Sequence, residues 1–489
     1  MQPTHRDHAV PTGTQGPTPD RATDSTRVLL VVCVATFMAS LDLFIVNIAF
    51  PDIQLSFGRA SDASVSWVLN AYAIVFAALL VPAGRLADLA GRRRTFTAGV
   101  LVFVLASALC AAAPSVGWLV AARVGQAVGA AALMPASLAL LLANSTPARR
   151  PGAVAIWSAS GAVAAAAGPP LGGLLLQLSW HWVFLVNVPV GLVTVVLATR
   201  VLHESRNPAA ARLPDLLGAV VLALGIGLLT LAVVKGSAWG WGSPATVGSF
   251  VAAAGLLVMF VARCVRHPLP VIEVDLLRVR AFAAANVAAA LVFFTGFASM
   301  LLGSVLFLTR VWHEGALTAG LQIAPGPLMA AVFSVPAGLL TVRYGPRNVA
   351  VPGALLFGIG ALWWLTQLAS TPHYAGGFLP GMLIGGAGVG LTLPTLANAV
   401  AAGLPPHRFA TGSAVFAMSR QLGAALGVAV FIAALGTPGR GQALAAFQRG
   451  WALMLGASLF AALAAATIGP RPGPRTPVMA PRLTPEPVA

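Results

Sequence analysis

Asp42 is an acidic residue inside a long apolar segment, with a leucine on either side and Asn47 five positions further on. An ionised carboxylate is costly in hydrocarbon, so we expect Asp42 to face the interior of a helix bundle and to titrate or find a partner there. A titrating Asp42 would be a site for a proton or a substrate cation. The alternative is a buried aspartate satisfied by Asn47 or by a helix terminus. The sequence leaves both roles of Asp42 open, and we predict that it carries a proton.

Two arginines also fall inside apolar segments. Arg123 and Gln126 are three residues apart and share one face of a helix. A fixed positive charge stabilises the ionised form of a nearby carboxylate, which makes Arg123 a candidate for proton coupling. Its alternative role is an arginine that extends to the membrane interface. Arg420, followed by Gln421, lies too deep in its segment for that and predicts a role in a cavity.

The segment from residue 161 to residue 173 is rich in glycine, alanine and proline. Proline removes a backbone donor and bends a helix, whereas glycine lets two helices approach closely. A kinked contact surface is therefore predicted, although an ordinary packing helix would have the same composition. Its residues are Gly161, Gly168, Pro169, Gly172 and Gly173.

A short basic loop, residues 84–94, separates two apolar segments and reads Gly-Arg-Leu-Ala-Asp-Leu-Ala-Gly-Arg-Arg-Arg. Such a segment cannot lie in hydrocarbon, and arginine in short loops marks the cytoplasmic side of a membrane. One carboxylate among several guanidinium groups can form a charge-paired latch between helix bundles. The predicted latch residues are Gly84, Asp88, Gly91, Arg92 and Arg93.

The chain has 489 residues, a mean hydropathy of +0.86 and only 9% charged residues, which is too little charge for the surface of a soluble protein. The net charge of +16 is spread through short loops and indicates topology rather than nucleic-acid binding. The three cysteines have no metal-binding spacing, and no phosphate-binding, zinc or hydrolase motif occurs in a plausible context. We therefore predict a polytopic membrane protein with no cofactor, no metal and no enzymatic activity.

About fourteen apolar segments have the length of a membrane-spanning helix. Basic residues concentrate in alternate loops, so both termini are predicted to be cytoplasmic, in the cell membrane. The predicted segments are 28–50, 65–83, 95–113, 117–142, 152–176, 182–200, 215–234, 246–263, 283–308, 318–341, 349–368, 376–401, 411–435 and 450–468. The predicted organisation is a disordered tail (1–27), a six-helix bundle (28–200), two extra helices with a linker (201–282), a second six-helix bundle (283–468) and a disordered tail (469–489).

A weak internal repeat supports two bundles around a central cavity. Residues 129–135 and 388–394 share a pattern of glycine and proline six positions apart. Residues 338–347 resemble a degenerate copy of the basic loop. The offsets, 388 − 129 = 259 and 338 − 84 = 254, nearly agree. The second loop has Val342 in the position of Asp88.

Several of these motifs resemble one family. The G-x-x-x-D-x-x-G-R-R pattern of the basic loop resembles the loop between helices two and three of the major facilitator superfamily. Residues 168–173 resemble the antiporter motif of its drug–proton exporters, and residues 41–51, 122–131, 180–191 and 419–427 are similar to its fourteen-span, EmrB/QacA-like branch. The chain departs from that branch at His181, Ala127 and Ala424, where relatives carry arginine, glycine and glycine. The resemblance covers residues 28–468.

The resemblance implies a proton-coupled antiporter that exports drug-like or antibiotic amphipathic molecules by alternating access. Asp42 and Arg123 would couple the proton, and the basic loop would hold the outward-open state. The partners would be a small amphipathic substrate, protons and the lipid bilayer, with no nucleic acid, and one chain would suffice as a monomer. The predicted substrate cavity comprises Asn47, Asn70, Tyr72, Gln126, Arg420 and Gln421.

Two alternatives stay open. A proton-linked uptake carrier for a small metabolite would keep the fold and reverse the direction of transport, and a membrane scaffold or receptor would not transport at all. The spans of the second bundle contain no acidic residue, whereas Arg123 and Arg420 are present. A dication is therefore disfavoured, and the expected substrate is neutral, monocationic or weakly anionic.

Overall fold

The chain is almost entirely helical in the computed structural model, which describes residues 19–58, 60–146, 149–206, 212–404, 408–437, 439 and 441–469. Over these residues no strand occurs, and fourteen helices are long and apolar enough to cross a membrane, in agreement with the predicted all-α fold. We number them spans 1 to 14: Ser25–Ile48, Asp62–Ala90, Arg92–Ala111, Val116–Ala143, Gly152–Leu176, Trp182–Val201, Leu216–Trp239, Pro244–Arg266, Arg280–Arg310, Ala316–Tyr344, Pro346–Gln367, Tyr374–Ala402, Thr411–Leu435 and Ala443–Ala466.

The structure describes only part of the two predicted tails. The helix that contains span 1 begins at Pro19, ahead of the predicted boundary at residue 28. Residues 1–18 and 470–489 of the two predicted tails lie outside the described residues. We call the end of the molecule that carries the loop between spans 2 and 3 the basic face, and the end that carries the loop between spans 1 and 2 the opposite face.

Spans 1–6 pack together, and spans 9–14 form a second group with equivalent contacts. Span 3 crosses span 4 where a Cβ atom added to Gly129 would lie 2.7 Å from the carbonyl oxygen of Gly99. Span 11 crosses span 12 in the same way, because a Cβ atom on Gly388 would lie 2.7 Å from the carbonyl oxygen of Gly353. The offsets are 388 − 129 = 259 and 353 − 99 = 254, so the repeat in the sequence corresponds to a repeated helix crossing.

The two groups meet along two seams, span 2 against span 13 and span 5 against span 10. Spans 7 and 8 form a hairpin, and span 7 packs against spans 2 and 13. Arg263 of span 8 donates from Nε to both carboxylate oxygens of Asp215 (2.7 and 2.9 Å), and Asp215 also caps the start of span 7. The extra hairpin therefore covers the seam between spans 2 and 13.

Span 9 is not a regular α-helix. Its middle section, Gly296–Gly303, is a π-helix between the α-helices Arg280–Thr295 and Ser304–Arg310. A π-helical turn widens the backbone and rotates the following side chains, and such segments are frequent at functional sites. Here Gly296, Met300 and Leu301 of the π-helix line the central cavity described below.

Candidate transport site

Asp42 lies at the centre of a buried polar cluster in the first bundle. Its Oδ1 accepts hydrogen bonds from Gln126 Nε2 (2.7 Å) and Asn187 Nδ2 (3.1 Å), and its Oδ2 accepts one from Arg123 Nη1. The side chains of Asp42 and Arg123 are 0% and 1% exposed, so the ion pair is shielded from water. A buried ion pair is tolerated only when further hydrogen bonds satisfy both partners, as they do here.

Arg123 is held from several directions. Its Nε donates to the carbonyl oxygen of Val68 (3.0 Å), its Nη1 donates to Gln126 Oε1 (2.7 Å), and its guanidinium carbon lies 4.1 Å from the centre of the Tyr72 ring. Ser107 completes the cluster by accepting from Gln126 Nε2 at 2.8 Å. Arg123 therefore does not extend to the membrane interface, and that alternative is wrong.

We use the name polar cluster for Asp42, Ser107, Arg123, Gln126 and Asn187. Sequence reasoning did not select Ser107 or Asn187. Asn187 begins the helix Asn187–Val201, so its side chain is placed where the chain turns back into the bundle. Asn187 could have been found from the sequence, because it lies in the 180–191 motif. Ser107 could not, because a serine in an apolar segment has no distinguishing pattern.

A central cavity of about 230 Å³ lies between the two bundles. Its wall is formed by spans 1, 5, 9, 10 and 12, and Ser334 is the only residue with a polar side chain among those described in the wall. None of the six predicted cavity residues belongs to the wall. The wall includes Phe44 of span 1, Phe293 of span 9, Ser334 of span 10 and Met382 of span 12.

The six predicted cavity residues fall into three groups. Tyr72 and Gln126 contact Arg123 as described above. Arg420 lies behind the wall, with its guanidinium carbon 4.6 Å from the centre of the Phe293 ring, and its Nε is buried without a hydrogen-bond partner. The third group has buried amide atoms without partners and consists of Asn47 (Oδ1), Asn70 (Nδ2 and Oδ1) and Gln421 (Oε1).

Asn47 does not satisfy Asp42. Its Nδ2 donates instead to the carbonyl oxygen of Leu43 (3.0 Å), one turn back on its own helix. Among the described residues, the carboxylate of Asp42 is bound by spans 4 and 6 through Arg123, Gln126 and Asn187.

The glycine–proline segment of span 5 packs against span 1. A Cβ atom on Gly168 would lie 2.7 Å from the Phe44 Cβ, and one on Gly172 would lie 3.0 Å from the Ile45 Cγ1. A Cβ atom on Gly161 would make only an ordinary van der Waals contact, since its nearest neighbour, Ser40 Oγ, would be 3.5 Å away. Span 5 therefore touches the helix that carries Asp42.

The same segment also touches the second bundle. A Cβ atom on Gly173 would lie 2.7 Å from the Ala316 carbonyl oxygen and 2.7 Å from the Leu317 Cα. A Cβ atom on Gly320 in span 10 would lie closest to the Pro169 carbonyl oxygen. These contacts lie near the opposite face, where spans 5 and 10 are in backbone contact.

The profile of the Major Facilitator Superfamily matches residues 32–428. The chain belongs to this superfamily. It is 34% identical over 411 residues to the multidrug resistance protein Stp of Mycobacterium tuberculosis, covering 83% of this chain and 75% of that protein. It is 34% identical over 414 residues to the methylenomycin A resistance protein of Bacillus subtilis (82% and 86% covered) and 33% identical over 423 residues to the cephamycin export protein CmcT of Amycolatopsis lactamdurans (85% and 86%).

Solved structures of other superfamily transporters share the fold. A crystal structure of the peptide transporter POT has a TM-score of 0.65 at 17% identity, covering 92% of this chain and 99% of that chain. The xylose transporter XylE from E. coli has a TM-score of 0.60 at 12% identity, covering 89% and 95%. The chain is therefore a multi-pass membrane protein with the Major Facilitator fold.

The superfamily loop between spans 2 and 3 is tied to the first bundle. Asp88 Oδ1 accepts from Arg92 Nε (2.9 Å) and Nη2 (2.7 Å), so this pair joins the end of span 2 to the start of span 3. The predicted loop of residues 84–94 is wrong, because only Gly91 lies between the two helices. Gly91 has φ = +120°, which favours glycine. The Glu204 carboxylate accepts from the backbone N–H groups of Arg93 and Arg94 (3.1 and 3.2 Å) at the start of span 3. Glu204 was not selected from the sequence, because nothing in its local pattern shows that it returns to this helix.

The remaining latch residues have other contacts. Gly84 faces span 4, since its Cβ atom would lie 3.3 Å from the Pro135 Cβ. Arg93 Nη2 donates to the carbonyl oxygen of Thr199 at 2.8 Å. In this structure the predicted latch residues contact the first bundle, and the role of the loop in the outward-open state stays a prediction.

Ion pairs that leave the first bundle occur at both faces. At the basic face, Arg85 Nη2 donates to Glu273 Oε1 (3.1 Å), and Glu273 Oε2 lies 3.9 Å from Arg408 Nε at the start of span 13. At the opposite face, Arg310 of span 9 donates to both carboxylate oxygens of Asp62 (2.8 and 2.7 Å). Sequence reasoning selected none of these pairs. The opposite face is therefore closed by an ion pair as well as by the backbone contact of spans 5 and 10.

Proposed function

We propose that this superfamily member exports small amphipathic molecules across the cytoplasmic membrane in exchange for protons, by alternating access. Its curated relatives are named as resistance and export proteins, which supports the direction of transport. The concentration of arginine in alternate loops supports a cytoplasmic basic face and cytoplasmic termini. The single observation that carries the proton-coupling proposal is the buried ion pair of Asp42 and Arg123.

Protonation of Asp42 would change the energetics of the polar cluster. A proton on the carboxylate removes the charge that compensates Arg123, and breaking a buried ion pair in this way costs about 3–5 kcal/mol. The cluster must rearrange or admit water to lower that cost. The charge state of Asp42 is thereby linked to the packing of spans 1, 4 and 6.

Span 1 connects the polar cluster to the cavity. It carries Asp42 towards spans 4 and 6, while Phe44 of the same helix lines the cavity. The glycine–proline segment of span 5 contacts span 1 and span 10, so a shift of span 1 reaches both bundles. A change at Asp42 is expected to alter the cavity through these two contacts.

The proposed cycle follows from this linkage. Opening of the opposite face lets a proton reach Asp42 and lets substrate leave. The bundles then close that face, the proton dissociates to the cytoplasm, and a new substrate binds. Each elementary charge that moves down the membrane potential contributes about 2.3 kcal/mol per 100 mV.

The experiment uses everted membrane vesicles and a substrate identified in a growth-inhibition panel with and without the gene. Uptake into the vesicles should require a pH gradient, collapse with a protonophore, and fall at least tenfold in Asp42→Asn. Asp52→Asn is the matched control, because burial raises the pKa of the Asp52 carboxyl and makes it the rival proton site near the opposite face. Full transport by Asp42→Asn, or loss in Asp52→Asn alone, would exclude Asp42 as the proton carrier.

A further inference from the structure

Arg420 is a partly buried arginine that is paired with no carboxylate among the described residues. It makes no hydrogen bond or ion pair in the part of the chain that the structure describes, and its Nε is buried without a partner. Its two aromatic neighbours are Phe293, at 4.6 Å, and Phe416, at 5.8 Å from the guanidinium carbon to the ring centres. Aromatic faces stabilise a cation only partly, so the charge is left largely uncompensated.

The second bundle offers no acidic residue to pair with it. After Asp275, the sequence contains only Glu314 and Glu486 as acidic residues. Glu314 lies in the loop between spans 9 and 10, where Gln322 Nε2 donates to it at 3.4 Å, and Glu486 lies outside the described residues. An unpaired charge at membrane depth is costly and marks a functional site.

The guanidinium is one aromatic ring away from the central cavity. Phe293 belongs to the cavity wall and also carries the Arg420 guanidinium on its face. Stacking on a ring face leaves the N–H groups at the edge of the guanidinium plane available for a carboxylate, which they can bind through two parallel hydrogen bonds. The Arg420 side chain is not fully buried, so part of it borders open space.

The cavity wall itself selects for an apolar ligand. Apart from Ser334, the described wall residues have apolar side chains or are glycine, and methionines such as Met300 and Met382 adapt to ligands of different shape. No described residue of the wall is acidic, so none of them would attract a cation. An apolar body in the cavity and an anionic group at Arg420 would satisfy both features.

We propose that the substrates are monoanionic amphiphiles, with an aromatic or aliphatic body in the cavity and a carboxylate that pairs with Arg420 beside Phe293. This inference rests on the proposed export function and narrows its substrate class. Binding of the anion supplies the counter-charge that the second bundle lacks. The first bundle needs no such ligand, because Asp42 already compensates Arg123.

The test compares two nearly isosteric probes, the carboxylate 1-naphthaleneacetate and the neutral amide 1-naphthaleneacetamide. Binding of each is measured by equilibrium dialysis to the full-length protein in zwitterionic-lipid nanodiscs at low chloride, so that neither anionic lipid nor chloride occupies the guanidinium. The wild type should bind the carboxylate at least tenfold more tightly than the amide. Arg420→Gln should abolish this preference without weakening the amide, and Arg420→Lys should retain part of it. Arg449→Gln, at an exposed arginine of span 14, is the matched control and should leave the preference unchanged.

Equal binding of the two probes by the wild type overturns the inference, as does a preference that survives in Arg420→Gln. The wild-type comparison requires no variant, so misfolding of Arg420→Gln would not obscure the result. Failure of this inference is distinguishable from failure of the proposed function. A protein that exports neutral or cationic drugs in vesicles but shows no carboxylate preference keeps the export function and loses only the anionic substrate class.

Discussion

The two bundles differ in how the charge of an arginine inside a span is compensated. In the first, Arg123 is paired with Asp42 and held by further hydrogen bonds to Gln126 and a backbone carbonyl. In the second, Arg420 contacts the ring faces of Phe293 and Phe416, and its buried Nε has no partner among the described residues. The repeated helix crossings show that the two bundles share a plan, so the difference lies in the side chains. One bundle compensates its charge internally, and the other leaves a charge for a ligand.

The largest expected effect comes from breaking the internal compensation. Arg123→Met would leave the Asp42 carboxylate buried without its cation and should lower the free energy of unfolding by about 3–5 kcal/mol. The double variant Asp42→Asn/Arg123→Met should recover much of this stability, because no uncompensated charge is left, but it should not restore proton-coupled transport. Thermal unfolding of the purified protein and vesicle uptake measure the two properties separately. Equal stability of Arg123→Met and the wild type would contradict the compensation argument.

An intermediate effect is expected at the contact that joins the two bundles. Gly173→Ala would place a Cβ atom 2.7 Å from the backbone of span 10, so closure of the opposite face should be disfavoured. The variant should therefore be more open at the opposite face. The measurement uses Ser334→Cys in a background without native cysteines. In the variant, this cysteine should react several times faster than in the parent with an impermeant thiol reagent applied from the opposite face.

Gly161→Ala is the control for this variant. It lies in the same segment, but its Cβ atom would be 3.5 Å from Ser40 Oγ, which is an ordinary contact. Its reaction rate should match that of the parent. Similar rates in both variants would show that the contact between Gly173 and span 10 does not control access.

The smallest effect on stability is expected at Arg420. Arg420→Met removes a partly buried charge and leaves no carboxylate unpaired behind it, so thermal stability should stay within about 1 kcal/mol of the wild type or rise. The contrast with Arg123→Met, measured in the same unfolding assay, is the sharpest test of the difference between the bundles. A loss at Arg420 as large as that at Arg123 would mean that both arginines are structurally compensated.

Much of the architecture follows from local sequence patterns. Each span is an apolar run long enough to cross a bilayer, and the basic loops between them are too polar to enter it, so the fourteen helices could be located without coordinates. Asp42 and Arg123 could be selected individually for the same reason, since a charge in an apolar run is costly wherever the run folds. Their direct pairing could not be, because the two residues are 81 positions apart.

The contacts that complete the site depend on distant parts of the chain. Asn187 and Ser107 complete the polar cluster, Glu204 returns to the start of span 3, and Arg310 reaches Asp62 across the two bundles. None of these residues is unusual in its local sequence. The predicted cavity residues illustrate the same limit, because residue type alone placed six polar side chains in a cavity whose wall is almost entirely apolar.

The sequence by itself determined the helices, their boundaries to within seven residues, the repeat and the charges that are costly in a membrane interior, because hydrophobicity and its interruption act on each segment alone. Only the tertiary structure decided which buried charge is paired and which is not. That outcome depends on where helices far apart in the chain cross, and the crossings are set by close backbone contacts such as those at Gly129, Gly173 and Gly388.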